Sequence, residues 1–410
     1  MTPDQMLTPE EARAIVLDHI AILGPERVAL LNAAGRVLAQ DVLARRDNPP
    51  YDNSAMDGYA VRHADVAQAS ADAPVALAVV EDIPAGTVPQ KEIGPGQTSR
   101  IMTGAPVPQG ADTIVPVEDT RGEGNQIEIL AVEDPGEHIR TAGEDMRCGE
   151  PIIKAGTECG PGELAVLAAV QQSFVSVYRR PQIAILSTGD ELVEIEENPG
   201  AGQIANSNTL ALAACCRAHG AEPVMLPTVP DDEAAIRATI EAALRADFAV
   251  SSGGVSVGEY DFVKKVLDDL GVETIFWRVA MKPGKPLVFC IIDGVPYFGL
   301  PGNPVSSMMS FLQFVRPAIR KASGYPQAAW PLPEARAQIA HSVHNDGNRR
   351  QYMRATLSYR DGQLHARTAK SQGSHMISSM LGANGFVVLE PNQQVAAGGE
   401  VVVQIVDRIF

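Results

Sequence analysis

Cysteine is scarce in this sequence and forms no recognisable metal or redox motif. The 410 residues contain five cysteines, an odd number, and none of them forms a C-x-x-C pair. This argues against a disulfide framework and a cysteine-ligated zinc site, and it fits a reducing cytosol. The N-terminus has no basic segment followed by an apolar run, and no long apolar stretch follows. We therefore expect neither a signal peptide nor a membrane span, and we place the protein in the cytoplasm.

Positive charge is also in short supply, and a common phosphate-binding motif is missing. Lys and Arg total 33 against 50 Asp and Glu, which gives a net charge of −17. Such a surface disfavours nucleic acid and anionic membranes as partners, although an anionic ligand still fits a local basic pocket. The sequence lacks the G-x-x-x-x-G-K-[ST] phosphate loop. A Walker-type phosphate site is therefore not indicated.

The chain is long, and its pattern of apolar residues, Gly and Pro changes along its length. One hydrophobic core does not support 410 residues, so several domains are expected. Residues 75–160 alternate short apolar runs with Gly and Pro, which predicts a β-rich, barrel-like domain. From Pro181, strands alternate with helices, which predicts a mostly parallel sheet with helices on both faces. A linker near residue 328 leads into a short-stranded β domain.

The first candidate site follows a predicted strand of the α/β segment. The stretch "SSGGVSVGEYDFVKKVL" spans Ser251–Leu267. Ligands of doubly wound sheets bind beyond the carboxyl ends of the strands, where glycine lets backbone N–H groups approach an anion. Glu259 and Asp261 would hold a divalent cation beside a phosphate. The structural alternative is a glycine turn in which Asp261 is an ordinary helix cap.

A second predicted strand is followed by residues of the same types. The stretch "AILSTGDELVE" places Ser187, Thr188 and Gly189 directly before Asp190 and Glu191. Two strand ends of one sheet with hydroxyls, glycine and acids indicate a shared site. The alternative interpretation is that Asp190 and Glu191 simply belong to a solvated turn.

The run "KPGKP" carries Lys282 and Lys285. Each lysine precedes a proline, which restricts its backbone and would hold both cations in fixed places for an anionic ligand. The alternative is a pair of surface lysines on a turn.

Another turn, "PGNP", runs from Pro301 to Pro304 and enters a helix. It provides an N-terminal anion cradle, or simply Asn303 as the helix cap. Pro317 lies inside the following helical pattern and predicts a kink.

Seven motifs, in order and naturally spaced over residues 1–405, resemble those of the MoeA/gephyrin-type molybdopterin molybdenumtransferases. They read "DNSAMDGYAV", "RIMTGAPVPQGADTIVPVED", "STGDEL", "GQIANSNTLAL", "SSGGVSVGEYDFVKKVL", "MKPGKP" and "GLPGNPVSSMMSF". No single motif decides the matter, whereas seven in sequence are highly specific.

The resemblance implies a multidomain α/β plus β fold. Its parts would be an elongated α+β linker domain, a β-barrel-like inserted domain, a doubly wound molybdopterin-binding α/β domain and a C-terminal β domain. The implied boundaries are 1–48 and 143–178 for the elongated domain, 49–142 for the inserted domain, 179–327 for the α/β domain and 328–410 for the last. The resemblance also implies a homodimer, with the cleft between the α/β domain of one subunit and the inserted β domain of the other.

The implied reaction uses adenylylated molybdopterin, molybdate and Mg²⁺. The phosphoanhydride is cleaved, AMP leaves, and molybdenum is held by the dithiolene sulfurs. The residues fit this chemistry, because phosphoanhydride cleavage needs positioning and charge neutralisation, and Mg²⁺ uses few carboxylates. A molybdopterin adenylyltransferase and later cofactor-handling proteins are the implied partners.

The resemblance assigns roles residue by residue. Metal and water handling would fall to Glu191, Asp231 and Asp261, with Asp232 as a substitute for Asp231. Lys282 and Lys285 would bind molybdate or phosphate, and Asp57 and Thr103 would close the site from the partner subunit. The pterin phosphate would be cradled by Ser251, Gly253, Gly254 and Ser256. The remaining substrate contacts would come from Ser187, Thr188, Gly189, Pro301, Asn303, Ser371 and Ser374.

Other functions stay open at this point. The α/β segment alone resembles the adenylyltransferase family, and gephyrin relatives also act as scaffolds. The extra domains and the KPGKP run favour the insertion enzyme. A preference for tungsten is equally compatible with these residues.

Overall fold

The computed structural model describes residues 6–132, 134–254 and 262–406. Within these ranges no helix is long and apolar enough to cross a membrane. The helices are α1 (Pro9–Asp18), α2 (His63–Val66), α3 (Pro161–Ala169), α4 (Ser207–Ala218), α5 (Glu233–Ala243), α6 (Phe262–Asp269), α7 (Pro304–Ser310) and α8 (Arg316–Ala322). Short 3₁₀ turns span Leu30–Ala33, Val117–Asp119, Gln327–Ala329 and Ile377–Met380, and a π turn spans Phe311–Val315.

The strands fall into three stretches of the chain. The first holds β1 (Pro25–Ala29), β2 (Val42–Leu43), β3 (Asn53–Ser54), β4 (Gly58–Val61), β5 (Val75–Ile83), β6 (Gln97–Ile101), β7 (Thr113–Pro116), β8 (Thr120–Arg121), β9 (Gln126–Ile129), β10 (Ile139–Arg140), β11 (Pro151–Ile153) and β12 (Phe174–Tyr178). The second holds β13 (Gln182–Ser187), β14 (Leu192–Val193), β15 (Ile204–Ala205), β16 (Glu222–Met225), β17 (Phe248–Ser252), β18 (Thr274–Arg278), β19 (Met281–Lys282), β20 (Pro286–Ile292) and β21 (Val295–Leu300). The third holds β22 (Glu334–Ile339), β23 (Val343–His344), β24 (Arg350–Arg360), β25 (Gln363–Thr368), β26 (Gly385–Leu389), β27 (Gln394–Val395) and β28 (Glu400–Ile405).

The α/β segment forms a doubly wound sheet, as predicted. Its strand order is β16-β13-β17-β21-β20-β18, and the first four strands are parallel. Alternate residues of β13 enter different cores: Ile183 and Ile185 pack with Leu212 of α4, whereas Ala184 and Leu186 pack with residues of α5. The sheet is therefore covered by helices on both faces, which accounts for the continuous apolar runs of its strands.

The helix that follows β21 shows the effect of its interior proline. It ends as α7 at Ser310, continues as the π turn, and resumes as α8 with Pro317 in its first turn. Proline has no N–H group for the helical hydrogen bond and crowds the preceding turn, so the regular helix is interrupted there. The predicted kink is thus a π-helical interruption.

The inserted β segment is barrel-like, as expected. Its strand order is β7-β4-β6-β5-β9-β8, antiparallel except for the pair β5 and β6. Tyr59 and Val61 of β4 face one apolar cluster and Ala60 faces another. The period of two along β4 therefore produces an apolar core on each side of the strand.

Two segments distant in sequence pair around this insertion. Strand β1 pairs with β12 and β2 pairs with β11, both antiparallel, over one apolar cluster. Helix α1 packs elsewhere, because Ala12 and Val16 are buried in the cluster of the α/β segment. The domain boundaries expected from the sequence stay predictions.

The C-terminal segment closes into a small barrel. Strands β24, β25, β22, β28 and β26 are neighbours in that order, and β26 pairs back to β24. Strand β19, which carries Lys282, leaves the α/β sheet and pairs in parallel with β24. The KPGKP run is therefore a strap between the α/β sheet and the barrel.

We predict that Gly324→Ala strongly destabilises the fold. A Cβ at this position would lie 2.1 Å from Cδ2 of Tyr178, and the backbone φ is +75°. Overpacking and left-handed backbone strain together should lower the free energy of unfolding by about 3 kcal/mol or more. Gly362, at φ +77° with no atom within 4 Å, is the matched control, and Gly362→Ala should cost only about 1 kcal/mol. Thermal unfolding by calorimetry measures both, and equal effects would contradict the packing argument.

Candidate active site

Three adjacent parallel strands end at the same edge of the α/β sheet. Ser187 lies beside Ser252, and Ser252 lies beside Leu300. The ends of β13, β17 and β21, together with the segments that follow them, hold nine of the predicted substrate-binding residues, of which all but Ser256 belong to the described chain. The parallel pairing thus brings together the strand-end residues that the sequence predicted to share a site.

The glycines of these segments allow close packing of the turns. The N–H group of Gly189 donates to the carbonyl of Val229 (3.2 Å) and that of Gly253 to the carbonyl of Leu300 (3.1 Å). A Cβ on Gly253 would lie 3.2 Å from the carbonyl oxygen of Thr188. The neighbouring turn therefore already uses the Gly253 N–H group, and the role of Gly253 in binding substrate stays a prediction.

Serine hydroxyls line the same strand ends. The Ser187 hydroxyl bonds that of Thr209 across 2.9 Å, and both side chains are buried. The Ser251 hydroxyl is fully buried and has no hydrogen-bond partner among residues 6–132, 134–254 and 262–406. An unmet buried hydroxyl is uncommon in native proteins, so this atom has capacity left for a further group.

Three acids lie together beside these turns. The N–H group of Asp231 donates to Oδ1 of Asp190 across 3.1 Å. Burial raises the pKa of Asp231 above its ordinary value, and the charges of Asp190 and Glu191 raise it further. Asp232, the predicted substitute, instead caps α5 by accepting the N–H group of Ala235 at 2.8 Å. Of the two aspartates, Asp231 is therefore the one that faces the other acids.

These acids fit a partly hydrated divalent cation better than a closed metal cage. Among the described residues no group of three His, Cys, Asp or Glu side chains is arranged to enclose a metal ion. Mg²⁺ keeps several waters and commonly uses one or two carboxylates with substrate phosphates, so a full cage is not required. The predicted ligand Asp261 and the predicted contact Ser256 lie outside the described residues.

The two predicted lysines sit on the strap between the sheet and the barrel. Both are exposed, and Lys282 lines a hollow of about 440 Å³ formed largely by barrel residues such as Gln351 and Lys370. A Cβ on Gly284 would lie 2.8 Å from Oγ of Ser310, so the turn between the lysines packs closely on α7. The turn is therefore anchored on the helix that follows "PGNP".

A loop of the barrel reaches that helix. The carbonyl of Ser374 accepts the N–H group of Val305 in the first turn of α7 (3.2 Å). Buried Arg354 donates to the carbonyl of Ser371 at 3.1 Å. Asn303 stands at the N-cap of α7, but its side chain makes no capping hydrogen bond. The predicted residues of the barrel and of the PGNP turn are thus neighbours.

Asp57 and Thr103 contact each other. Oδ1 of Asp57 accepts both the N–H and the hydroxyl of Thr103, each at 2.7 Å. The Thr103 N–H group lowers the pKa of Asp57 below its ordinary value, and the hydroxyl and Arg100 lower it further. In the described part of the chain, neither residue makes a hydrogen bond or ion pair with the α/β turns. The contact between Asp57 and Thr103 therefore does not tie these residues to the α/β turns of the same subunit.

Family models cover most of the chain. "MoeA N-terminal region (domain I and II)" matches residues 7–170, "Probable molybdopterin binding domain" matches 184–321, and "MoeA C-terminal region (domain IV)" matches 336–406. A molybdopterin molybdenumtransferase of a Nostoc species is 41% identical over 92% of this chain and 87% of its own length. The chain belongs to the MoeA family.

Further MoeA-family relatives agree over nearly full length. The molybdopterin molybdenumtransferase of Haemophilus influenzae is 36% identical over 97% of this chain and 98% of its own length. A crystal structure described as the molybdopterin biosynthesis protein MoeA of Pyrococcus horikoshii OT3 matches with a TM-score of 0.83 at 30% identity. It covers 98% of this chain and 100% of its own. The four-part fold expected from the sequence resemblance is therefore confirmed.

The sequence reasoning missed two asparagines of this MoeA-family site. Asn206 caps α4, and Asn208 donates to Oγ of Ser252 and to the carbonyl of Gly302. Both lie in "GQIANSNTLAL", which was recognised only as a family motif. The clue was a pair of asparagines at a helix start directly after a short polar turn, where amide side chains bond the backbone.

We predict that Thr103→Val raises the pKa of Asp57. The variant removes the hydroxyl but keeps the backbone N–H group, so the pKa should move toward its ordinary value without reaching it. A carboxyl NMR titration measures this change. Because the pKa of Asp57 is lower in the folded state than in the unfolded state, the contact stabilises the fold at pH values above the unfolded-state pKa. This stabilisation is lost as the pH falls through the folded-state pKa. Thr120→Val, whose hydroxyl bonds the Val117 carbonyl, is the control; an unchanged pKa in Thr103→Val would refute the assignment.

Proposed function

We propose that this chain is a molybdopterin molybdenumtransferase. It takes molybdate and adenylylated molybdopterin, cleaves the phosphoanhydride and releases AMP, leaving molybdenum on the dithiolene sulfurs. The observation that carries the proposal is that the hydroxyl-rich strand ends lie beside a cluster of acids, while the lysine strap and the barrel loop are both anchored on α7, the helix that follows the third strand end. The relatives from Nostoc and Haemophilus influenzae are both named molybdopterin molybdenumtransferase, which supports transfer of molybdenum to molybdopterin.

The strap supplies the positive charge that two anionic substrates require. Lys282 and Lys285 are exposed, and the strap that holds them pairs with β24 and packs on α7. A lysine 4 Å from a phosphate oxygen gains about 4 kcal/mol at an effective dielectric near 20, before desolvation. Cleavage of a phosphoanhydride depends mainly on positioning and charge neutralisation, so fixed cations suit it. In this proposal the two lysines hold molybdate and the bridging phosphates.

The acids beside the strand ends are proposed to hold Mg²⁺. Glu191 and Asp231 lie in one cluster, and Asp261 completes the proposed set. When bound, the ion neutralises charge on the phosphates and orients them. Asp190 accepts the backbone N–H group of Asp231, which fixes the turn that presents the Asp231 carboxylate.

We propose that a second subunit completes the site with Asp57 and Thr103. The α/β segment has an unpaired edge at β16, the outermost strand of its sheet. Val224 and Met225 of β16 are 42% and 51% exposed, and Leu210 of α4, the helix that packs on β16, is 43% exposed. Exposed apolar side chains on neighbouring elements fit an interaction surface, which supports a homodimer formed over this edge. A cytoplasmic location, an adenylyltransferase as donor and later cofactor-handling acceptor proteins remain part of the proposal.

The direct test is AMP release by the purified protein. We expect AMP from adenylylated molybdopterin only when molybdate and Mg²⁺ are both present. Lys282→Ala and Glu191→Gln should each lower the rate by about a hundredfold or more, because each removes charge stabilisation of the reacting phosphates. Their thermal unfolding should stay close to that of the wild type.

Exposed residues away from the strap and the acid cluster provide matched controls. Lys154→Ala and Glu123→Gln should release AMP at the normal rate. Consumption of ATP with unmodified molybdopterin would instead identify an adenylyltransferase. Full turnover of Lys282→Ala would remove the strap from the mechanism.

Subunit complementation tests the shared site. Asp57→Asn and Glu191→Gln should each be inactive as homodimers, because both protomers then carry the same defect. When the two chains are mixed and allowed to reassemble, heterodimers contain one intact site, so roughly a quarter of wild-type activity should return. AMP release by the mixture measures this recovery. No recovery, with heterodimers verified by native mass spectrometry, would place Asp57 in the same subunit's site.

A further inference from the structure

One side chain joins two of the strand-end turns. Asn208, in the first turn of α4, donates its Nδ2 hydrogens to Oγ of Ser252 at 2.8 Å and to the carbonyl of Gly302 at 2.7 Å. Ser252 ends β17, and Gly302 belongs to the turn after β21. Asn208 therefore fixes the distance between two walls of the proposed substrate site.

These contacts also determine which way the amide faces. The carbonyl of Gly302 only accepts hydrogen bonds, so the NH₂ group of Asn208, and not its oxygen, must point toward it. Oδ1 of Asn208 is buried and accepts no hydrogen bond from any residue in the part of the chain that the structure describes. An amide oxygen accepts two hydrogen bonds, so an acceptor is left unmet beside the turns that line the site.

A neighbouring asparagine shows what a purely structural amide looks like here. Oδ1 of Asn206 accepts the N–H group of Thr209 at 3.2 Å, and its Nδ2 donates to the hydroxyls of Thr209 and Thr228. Every polar atom of that side chain is engaged in holding the helix start. Buried polar groups are normally satisfied in this way, which sets the unmet oxygen of Asn208 apart.

We propose that Oδ1 of Asn208 accepts a hydrogen bond from the exocyclic amino group of the pterin, an inference that rests on the proposed function. Phosphate and molybdate offer only oxygen acceptors, so an unmet acceptor does not suit them. A pterin carries an amino group, which is a donor and requires an acceptor such as this one. The substrate would then lie with its pterin ring at the α4 side and its anionic groups toward the lysine strap.

The test compares a pterin with an analogue that lacks the amino donor. Pterin-6-carboxylate and lumazine-6-carboxylate differ by replacement of that amino group with a carbonyl. We expect full-length wild-type protein to bind the pterin about tenfold more tightly by calorimetry, since one neutral hydrogen bond is lost and an acceptor is left unpaired. In Asn208→Ala the preference should fall to about one.

Ser252→Ala is the matched control. It removes one partner of the Asn208 NH₂ group but leaves the Gly302 contact and Oδ1 in place. It should therefore keep the preference for the pterin even if both probes bind more weakly. In turnover, Asn208→Ala should raise KM for adenylylated molybdopterin and leave KM for molybdate unchanged, because the pterin end alone is affected.

Several results would overturn the assignment. Equal binding of both probes by the wild type, or no binding of the pterin, would remove the proposed donor–acceptor pair. Weaker binding of both probes by Asn208→Ala with the preference kept would leave Asn208 a structural tie only. Absence of molybdate-dependent AMP release from the wild type would instead refute the proposed function. The preference between the two probes is measured without turnover, so it tests the Asn208 assignment separately from the reaction.

Discussion

The parallel alignment of β13, β17 and β21 is the constraint on which the site depends. Backbone hydrogen bonding between parallel strands brings their carboxyl ends to one edge, so three turns from distant parts of the chain must share a small space. They fit because Gly253 lets two turns approach so closely that a Cβ added to it would lie 3.2 Å from the Thr188 carbonyl oxygen. A side chain at Gly253 would press on the neighbouring turn, and its φ of +94° favours glycine.

The strap formed by β19 is the second organising feature. It leaves the α/β sheet, pairs with β24, and is anchored by the close contact of Gly284 with Ser310 on α7. Arg354 holds the barrel loop whose Ser374 carbonyl meets the start of the same helix. Lysines, helix and barrel loop are therefore positioned together, and motion of the barrel would move the positive charge of the proposed site.

Charge is sorted within this acidic protein. The net charge is −17, yet the strap presents two lysines, while Asp190, Glu191 and Asp231 gather beside the turn that follows β13. Burial and the charges of Asp190 and Glu191 raise the pKa of Asp231, whereas hydrogen bonds from Thr103 lower the pKa of Asp57. Within the described residues the Asp231 carboxylate forms no ion pair and suits a cation, and Asp57 is held as a hydrogen-bonded carboxylate.

The sequence by itself determined the doubly wound sheet, the two β segments and the grouping of the strand ends, because apolar period, Gly and Pro punctuation and strand polarity are local properties. Tertiary structure alone decided which atoms remain available. It used the Gly253 N–H group in packing, made Asp232 a cap and left Asp231 among the acids, and attached the strap to the barrel. It also revealed Asn208 as the tie between two turns. Apart from the Asp232 cap, which is a local contact with Ala235, each of these outcomes depends on a partner atom far away in sequence, which no local pattern encodes.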